Sequence, residues 1–162
     1  MRISILLPYK ENFSPIYAGA VSLFVKDTTK LSKFKKYITV YGNTHLKKIY
    51  KLNYKNIFLK RSLIQSGSKF YVKQFLKYEK ENPSDIIEIH NRPNYFHLIN
   101  KNKKNQKLVL YFHNDPLTMT GSRSVSDRKQ LLNNANKIIF NSHWSRKRFL
   151  EGIENLHINS EK

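Results

Sequence analysis

The chain is predicted to be an α/β protein, a Rossmann-like three-layer sandwich built on a mostly parallel sheet. Three observations carry that expectation. Short apolar runs alternate with stretches of helical periodicity along almost the whole length. That alternation gives parallel strands joined by helical crossovers. The runs end abruptly on polar residues: PYKEN after Ile3–Pro8, HNRPN after Asp85–Ile89, HND after Lys107–Phe112 and NSHWS after Lys137–Phe140. Open α/β sheets place ligands at the carboxyl ends of their strands, so these exits read as one shared site. Finally, the strand over Lys107–Phe112, KLVLYF, is rich in Leu, Val, Tyr and Phe, as in a strand buried on both faces.

The elements follow in order. Arg2–Pro8 reads as the first strand, and Ala18–Lys30 as a helix packing through Val21, Phe24, Val25 and Leu31. Tyr37–Tyr41 alternates aromatic and β-branched residues and stops at the turn signal Gly42-Asn43. Asn56–Leu59 is a weaker strand. Ser68–Glu81 carries the stripe Val72, Phe75 and Leu76, with Ser68 as N-cap and Pro83 as the stop. Strand Asp85–Ile89, a short helix near Asn94–Asn100 and the basic turn Lys101–Lys107 lead into the central strand. Ser124–Asn134 is a helix opened by Ser126, and Lys137–Phe140 the last strand. Ser142 caps a final helix through about Glu151, ended by Gly152. Residues 1–152 thus form one domain, with residues 153–162 read as the start of an interdomain tail.

Composition narrows the function classes. The 162 residues include no cysteine, which excludes disulfides and thiolate metal sites. No apolar run approaches the roughly 20 residues that span a bilayer. Thirty Lys and Arg against eleven Asp and Glu give a net charge of +19. The lysines are spread along the chain, and Lys, Asn, Ile and Tyr are all abundant, so a solvated basic surface is the plain reading. Attraction to an anionic membrane face or to a phosphate-bearing ligand comes next, and nucleic acid is the least favoured partner. The histidines lack the HxxxH spacing of a metal site, and His90, His97 and His113 have no evident carboxylate partner. No GxSxG, GxGxxG or GxxxxGK[ST] pattern is present, which sets aside hydrolase, dinucleotide and P-loop readings.

The segments ILLPY, YAGAVSLFV, IIEIHNRP, LVLYFHNDP and ANKIIFNSHWSRKRF stand in fixed order. In that order the chain, from Met1 to about Gly152, resembles the N-terminal domain of family-4 retaining glycosyltransferases of the GT-B fold. The resemblance implies a metal-independent transfer of sugar from a nucleotide-diphosphate-sugar to a glycan or lipid-linked acceptor, as in cell-envelope polysaccharide synthesis. No cofactor is implied beyond that donor substrate. It also implies that this chain is the acceptor-side half, that the C-terminal donor-binding domain with its Glu-x7-Glu segment is absent from it, and that it is inactive alone. The implied location is cytoplasmic, peripheral on the inner face of the membrane.

By the same resemblance, His113 is the active-site histidine that contacts the transferred sugar. Gly19, between Ala18 and Ala20 at a helix start, lets donor phosphates approach backbone N–H groups. Tight helix–sheet packing would select the same small residues. His90, Asn91 and Arg92 face the acceptor together with Tyr9, Asn114, Asp115, Asn141 and Ser142. For Arg92 the alternative is a salt bridge to Asp115 or Glu88, and for Ser142 a helix cap. Lys10 and Asn12 line the first loop. The Gly/Ser-rich stretch 119–125 reads as mobile. Phe13, Ile16 and Tyr17 form either an exposed apolar lip for a membrane surface or a cover over the core. Two other classes stay open: a stand-alone glycan- or subunit-binding module, and a basic nucleic-acid binder.

Overall fold

The computed structural model describes residues 1–58 and 67–153. Among these residues six strands and five α-helices alternate, except that β3 follows β2 with no helix between: β1 (Ile3–Leu6), α1 (Ala20–Leu31), β2 (Ile38–Gly42), β3 (Tyr54–Asn56), α2 (Gly67–Glu81), β4 (Ile86–His90), α3 (Pro93–Asn100), β5 (Lys107–Phe112), α4 (Val125–Asn134), β6 (Lys137–Phe140) and α5 (His143–Leu150). The strands form a parallel sheet in the order β3-β2-β1-β4-β5-β6. That is the strand order of a Rossmann-like fold, as the alternation predicts. The chain divides into two compact units, residues 1–87 and 88–162, with the division falling inside β4.

In the first unit the core gathers Ile5, Leu7, Phe13, Val21, Val25, Ile38 and Val40. Alternate residues of the β1 and β2 segments, Ile5 and Leu7 with Ile38 and Val40, form one face that meets the i, i+4 pair Val21 and Val25 on α1, while Ser4, Leu6 and Tyr41 between them are buried as well. Polar groups are buried with them; the Ser22 and Thr29 hydroxyls on α1 have no hydrogen-bond partner among the described residues, whereas others are paired. The Tyr71 hydroxyl, on α2, lies 3.0 Å from the Leu7 carbonyl and 3.3 Å from that of Tyr41, tying the ends of β1 and β2 together. Glu79, only 4% exposed, accepts from the Ser4 hydroxyl at 2.6 Å and from the Ser84 hydroxyl and N–H. A buried carboxylate needs such partners, and these three donors supply them.

In the second unit Leu108, Leu110 and Phe112 of β5 are buried, while Val109 and Tyr111 on the opposite face are partly accessible. Burial on both faces is therefore only half realised, because the Tyr111 face carries a polar cluster. Phe112, Phe140 and Phe149 pack with ring centroids 5.3 to 5.5 Å apart. Arg128 on α4 is 3% exposed and donates to the carbonyls of Ser122, Arg123 and Glu151. Burial holds its guanidinium below its ordinary pKa, opposed by Glu151 and Asp127.

Several expected boundaries shift. The third strand is Tyr54–Asn56 rather than Asn56–Leu59, and Leu59 lies outside the described residues. Ser68 lies in the first turn of α2, which already includes Gly67, so it is not the N-cap. Helix α4 is capped by Ser124 and not by Ser126. The Ser124 hydroxyl accepts from the Asp127 N–H, and Asp127 reaches back to the Ser124 N–H, a capping box. Ser142 caps α5 as expected, and Gly152 adopts a positive φ of 71° just after it. Of the tail, only Ile153 is described.

Arg128→Met should lower unfolding free energy by about 3 kcal/mol, because three carbonyls lose a charged donor at once. Arg128→Lys should recover little of it, since an ammonium cannot span the same carbonyls. Urea denaturation followed by circular dichroism measures both.

Candidate functional site

Glu88 and His90 are two residues apart on β4, and Tyr111 and His113 two apart on β5 and its exit. Period two therefore puts each pair on one face of its strand. The two pairs meet as a line of polar side chains. Glu88 Oε1 is 2.6 Å from His90 Nε2, and His90 Nδ1 is 2.8 Å from His113 Nε2. The Tyr111 ring stacks against both imidazoles, with centroids 5.3 Å from His90 and 4.5 Å from His113. His90 is fully buried and His113 partly so.

A carboxylate only accepts, so the Glu88–His90 bond carries its proton on His90 Nε2. With His90 neutral, its Nδ1 accepts from His113 Nε2–H, and Nδ1 is the unprotonated nitrogen of His113. A second proton on His90 reverses that inner bond and moves the His113 proton to Nδ1. The pKa of His113 is lowered to about 4, first by burial and then by the His90 charge, with Glu88 opposing. His113 is thus a neutral hydrogen-bonding group near pH 7. Between about 4 and the ordinary value of 6.5 the unfolded chain binds more protons at this residue than the folded one. Stability from this source accordingly rises with pH through that window.

The backbone around His113 is held from two sides. Asn91 sits at φ 56°, a left-handed conformation that Asn tolerates better than most residues. Its N–H donates to the Tyr111 carbonyl at 2.8 Å, and its Oδ1 accepts from the N–H groups of His113 and Asn114 at 3.1 and 3.3 Å. Asn141 Nδ2 donates to the His113 carbonyl at 2.7 Å. Ser145 in turn donates to Asn141 Oδ1 at 3.0 Å. Four expected site residues, His90, Asn91, His113 and Asn141, are brought together in this way.

Others are engaged elsewhere. Asp115 accepts from the Leu117 N–H and from Arg148, and the Ser142 hydroxyl accepts from the Ser145 N–H as a cap. Arg92 donates to the Asn91 carbonyl rather than pairing with Asp115 or Glu88, whose partners are Arg148 and His90. Asn114 is exposed beside the cluster. An open concavity of about 430 Å³ runs along β6 into α5, lined by Ile138, Phe140, Asn141, Ser142, His143 and Arg146.

The first unit holds the remaining expected residues. The Tyr9 ring lies against Gly67 and Tyr71. Lys10 is exposed and Asn12 partly so. At the start of α1, the space that the missing Gly19 side chain leaves is taken by the Glu11 carboxylate, which accepts from the Ser22 N–H at 3.0 Å. Gly19 thus admits an anion to the positive end of the helix, and here that anion belongs to the chain itself.

Of the two alternatives for Phe13, Ile16 and Tyr17, Phe13 takes the core one, fully buried and stacked on Tyr54 at 5.1 Å, while Ile16 and Tyr17 are exposed. Two expectations are corrected. The stretch 119–125 is pinned rather than mobile. Ser122 is buried on the Pro116 carbonyl, Arg128 grips two of its carbonyls, and His97 Nε2 lies 2.9 Å from the Gly121 carbonyl. His90 does have a carboxylate partner in Glu88. Among the described residues, no three His, Asp or Glu side chains gather into a metal-binding group.

Sequence reasoning passed over Glu88 and Tyr111 as partners of the histidines, although Glu-Ile-His and Tyr-Phe-His spacing on adjacent strands could have flagged them. Glu11, His143 and Arg146 carried no such signal. No family model matches the chain, and no curated protein matches it.

At pH 8, long-range ¹⁵N–¹H correlation of the histidine rings should show His113 neutral with its proton on Nε2, and titration should place its midpoint near 4. Glu88→Ala removes the acceptor that orders the line and should yield a mixture of both His113 tautomers. An unchanged single tautomer in that variant would mean Glu88 has no hold on the ring.

Proposed function

We propose that this chain is the acceptor-side half of a retaining glycosyltransferase, taking its donor from a second domain or subunit. The observation that carries the reading is the placement of His113 at the exit of β5, in line with His90 and Glu88. A neutral imidazole at the exit of β5, oriented by His90 and Glu88, suits hydrogen bonding to uncharged sugar hydroxyls rather than pairing with an ion. The order of ILLPY, IIEIHNRP, LVLYFHNDP and NSHWS along the chain supports the same family.

In that reaction the anomeric carbon loses its bond to a diphosphate oxygen and gains one to an acceptor hydroxyl oxygen on the same face. The acceptor's proton ends on the departing diphosphate. The role of this half is orientation: His113 meets a hydroxyl of the transferred sugar, with Asn114 and Arg92 on the adjoining exits toward the acceptor. The developing charge on the diphosphate falls to the donor-side half. Glu11 at the start of α1 would have to withdraw before a donor phosphate could use that helix terminus.

The test is transfer of a labelled sugar by this chain together with its donor half, encoded beyond Lys162 or by a separate gene. His113→Ala should lower kcat by about 10²-fold with the melting temperature little changed. Full turnover in that variant rejects the role. If no donor half exists, binding of glycans to the chain alone, read as shifts of the His113 and Asn114 amides, would instead support the stand-alone module.

A further inference from the structure

Between α1 and β2 the chain reads Leu-Ser-Lys-Phe-Lys-Lys-Tyr, from Leu31 to Tyr37. This is a tight, self-bonded turn. The Ser32 N–H closes on the Thr29 carbonyl, Lys35 on that of Ser32 and Tyr37 on that of Phe34, while the Phe34 N–H takes the Ser32 hydroxyl at 3.1 Å. The backbone therefore presents its side chains in fixed directions, and it presents them outward. Leu31 is 84% exposed, Phe34 40% and Tyr37 38%.

Lysines surround these apolar groups. Lys33, Lys35 and Lys36 join Lys51, Leu52 and Asn53 around an open concavity of about 520 Å³. None of the four lysines forms an ion pair with a described residue; the described ion pairs use the N-terminus, Lys26, His90 and Arg148. The Lys33 ammonium stands 5.2 Å from the Phe34 ring centre and that of Lys36 4.9 Å from the Tyr37 ring centre. Folding gains nothing from an aliphatic side chain left in water, and four ammonium groups with no ion-pair partner among the described residues repel each other around one hollow. An anionic surface with an apolar layer beneath it relieves both at once.

We infer that Leu31–Tyr37, with Lys51, is a docking surface for an anionic lipid bilayer. Lys33, Lys35, Lys36 and Lys51 lie at the phosphate level, and Leu31, Phe34 and Tyr37 enter the boundary between headgroups and acyl chains. Single-stranded nucleic acid fits less well. Leu31 has no π face on which a base can stack, and the rings of Phe34 and Tyr37 are each attended by a lysine of this chain. The surface does not depend on the transferase reading; a glycan-binding module would dock in the same way, and the test below reads no transfer.

The experiment is co-sedimentation of the full chain with vesicles of phosphatidylcholine alone and of phosphatidylcholine mixed with phosphatidylglycerol, at several salt concentrations. Binding is expected to the anionic vesicles only, weakening with salt. Each lysine neutralised, as in Lys33→Gln and Lys36→Gln, should weaken it about fivefold. Leu31→Ser with Phe34→Ser should weaken it at low salt as well, and millimolar inorganic phosphate should not compete. All four positions are exposed, and unchanged melting temperatures establish that the variants fold. No binding at low salt overturns the inference, as does binding indifferent to either pair of substitutions. Displacement of the vesicles by an oligouridylate that needs the same lysines assigns the surface to nucleic acid instead.

Discussion

The arrangement at the ends of β4 and β5 depends on one backbone conformation, the left-handed turn at Asn91. That turn ends β4 and swings a carboxamide back beneath the exit of β5. One oxygen can then receive two successive N–H groups, those of His113 and Asn114. Glycine would adopt the turn but offer no oxygen. A β-branched residue would offer neither. Asparagine does both because its short amide bonds locally while tolerating positive φ. With the loop fixed from below by Asn91 and from the side by Asn141, the His113 ring has a defined place opposite His90. The polar line from Glu88 then settles where protons reside.

The first unit follows the same logic with different chemistry. Its apolar core is ordinary, and its specificity comes from buried polar groups with one good geometry each. Tyr71 bridges two strand ends, and Glu79 gathers Ser4 and Ser84. Each group is costly to bury unpaired, so alternative packings of α2 are penalised. Glu11 belongs to this set too, since it satisfies an N–H of α1 that would otherwise look to water or to a ligand.

The fold was legible because apolar period and strand-ending polar residues survive in any single sequence. KLVLYF and KIIF fall where expected, and Ser142 caps its helix. Less was legible wherever two signals compete. Ser124 and Ser126 are chemically equal as caps for α4, and the Asp127 partner selects Ser124. Phe13, beside Pro15 and Tyr17, looks like part of a surface lip until its stacking on Tyr54 is known. The site divides similarly. The strand exits pointed to His90, Asn91, His113 and Asn141, which do lie together, but residue type could not say that Asn91 and Asn141 would spend their amides on the backbone of His113. That division of labour is set by contacts between residues some 20 to 30 positions apart in the chain, which no local pattern encodes.

Two guanidinium groups anchor the second unit, and they answer to different chemistry. Arg148 is held by the carboxylates of Asp115 and Glu151; Arg128 is held by carbonyls. Burial tends to raise the pKa of Asp115, yet the Leu117 N–H and Arg148 together keep it below the ordinary value. Its contribution to stability is therefore present above the unfolded value and disappears as pH falls through the folded one. Carbonyls take up no proton in that range. Acid should accordingly loosen this part of the molecule in a set sequence, freeing the Asp115 turn from α5 while the 122–128 corner stays clamped to the end of the same helix.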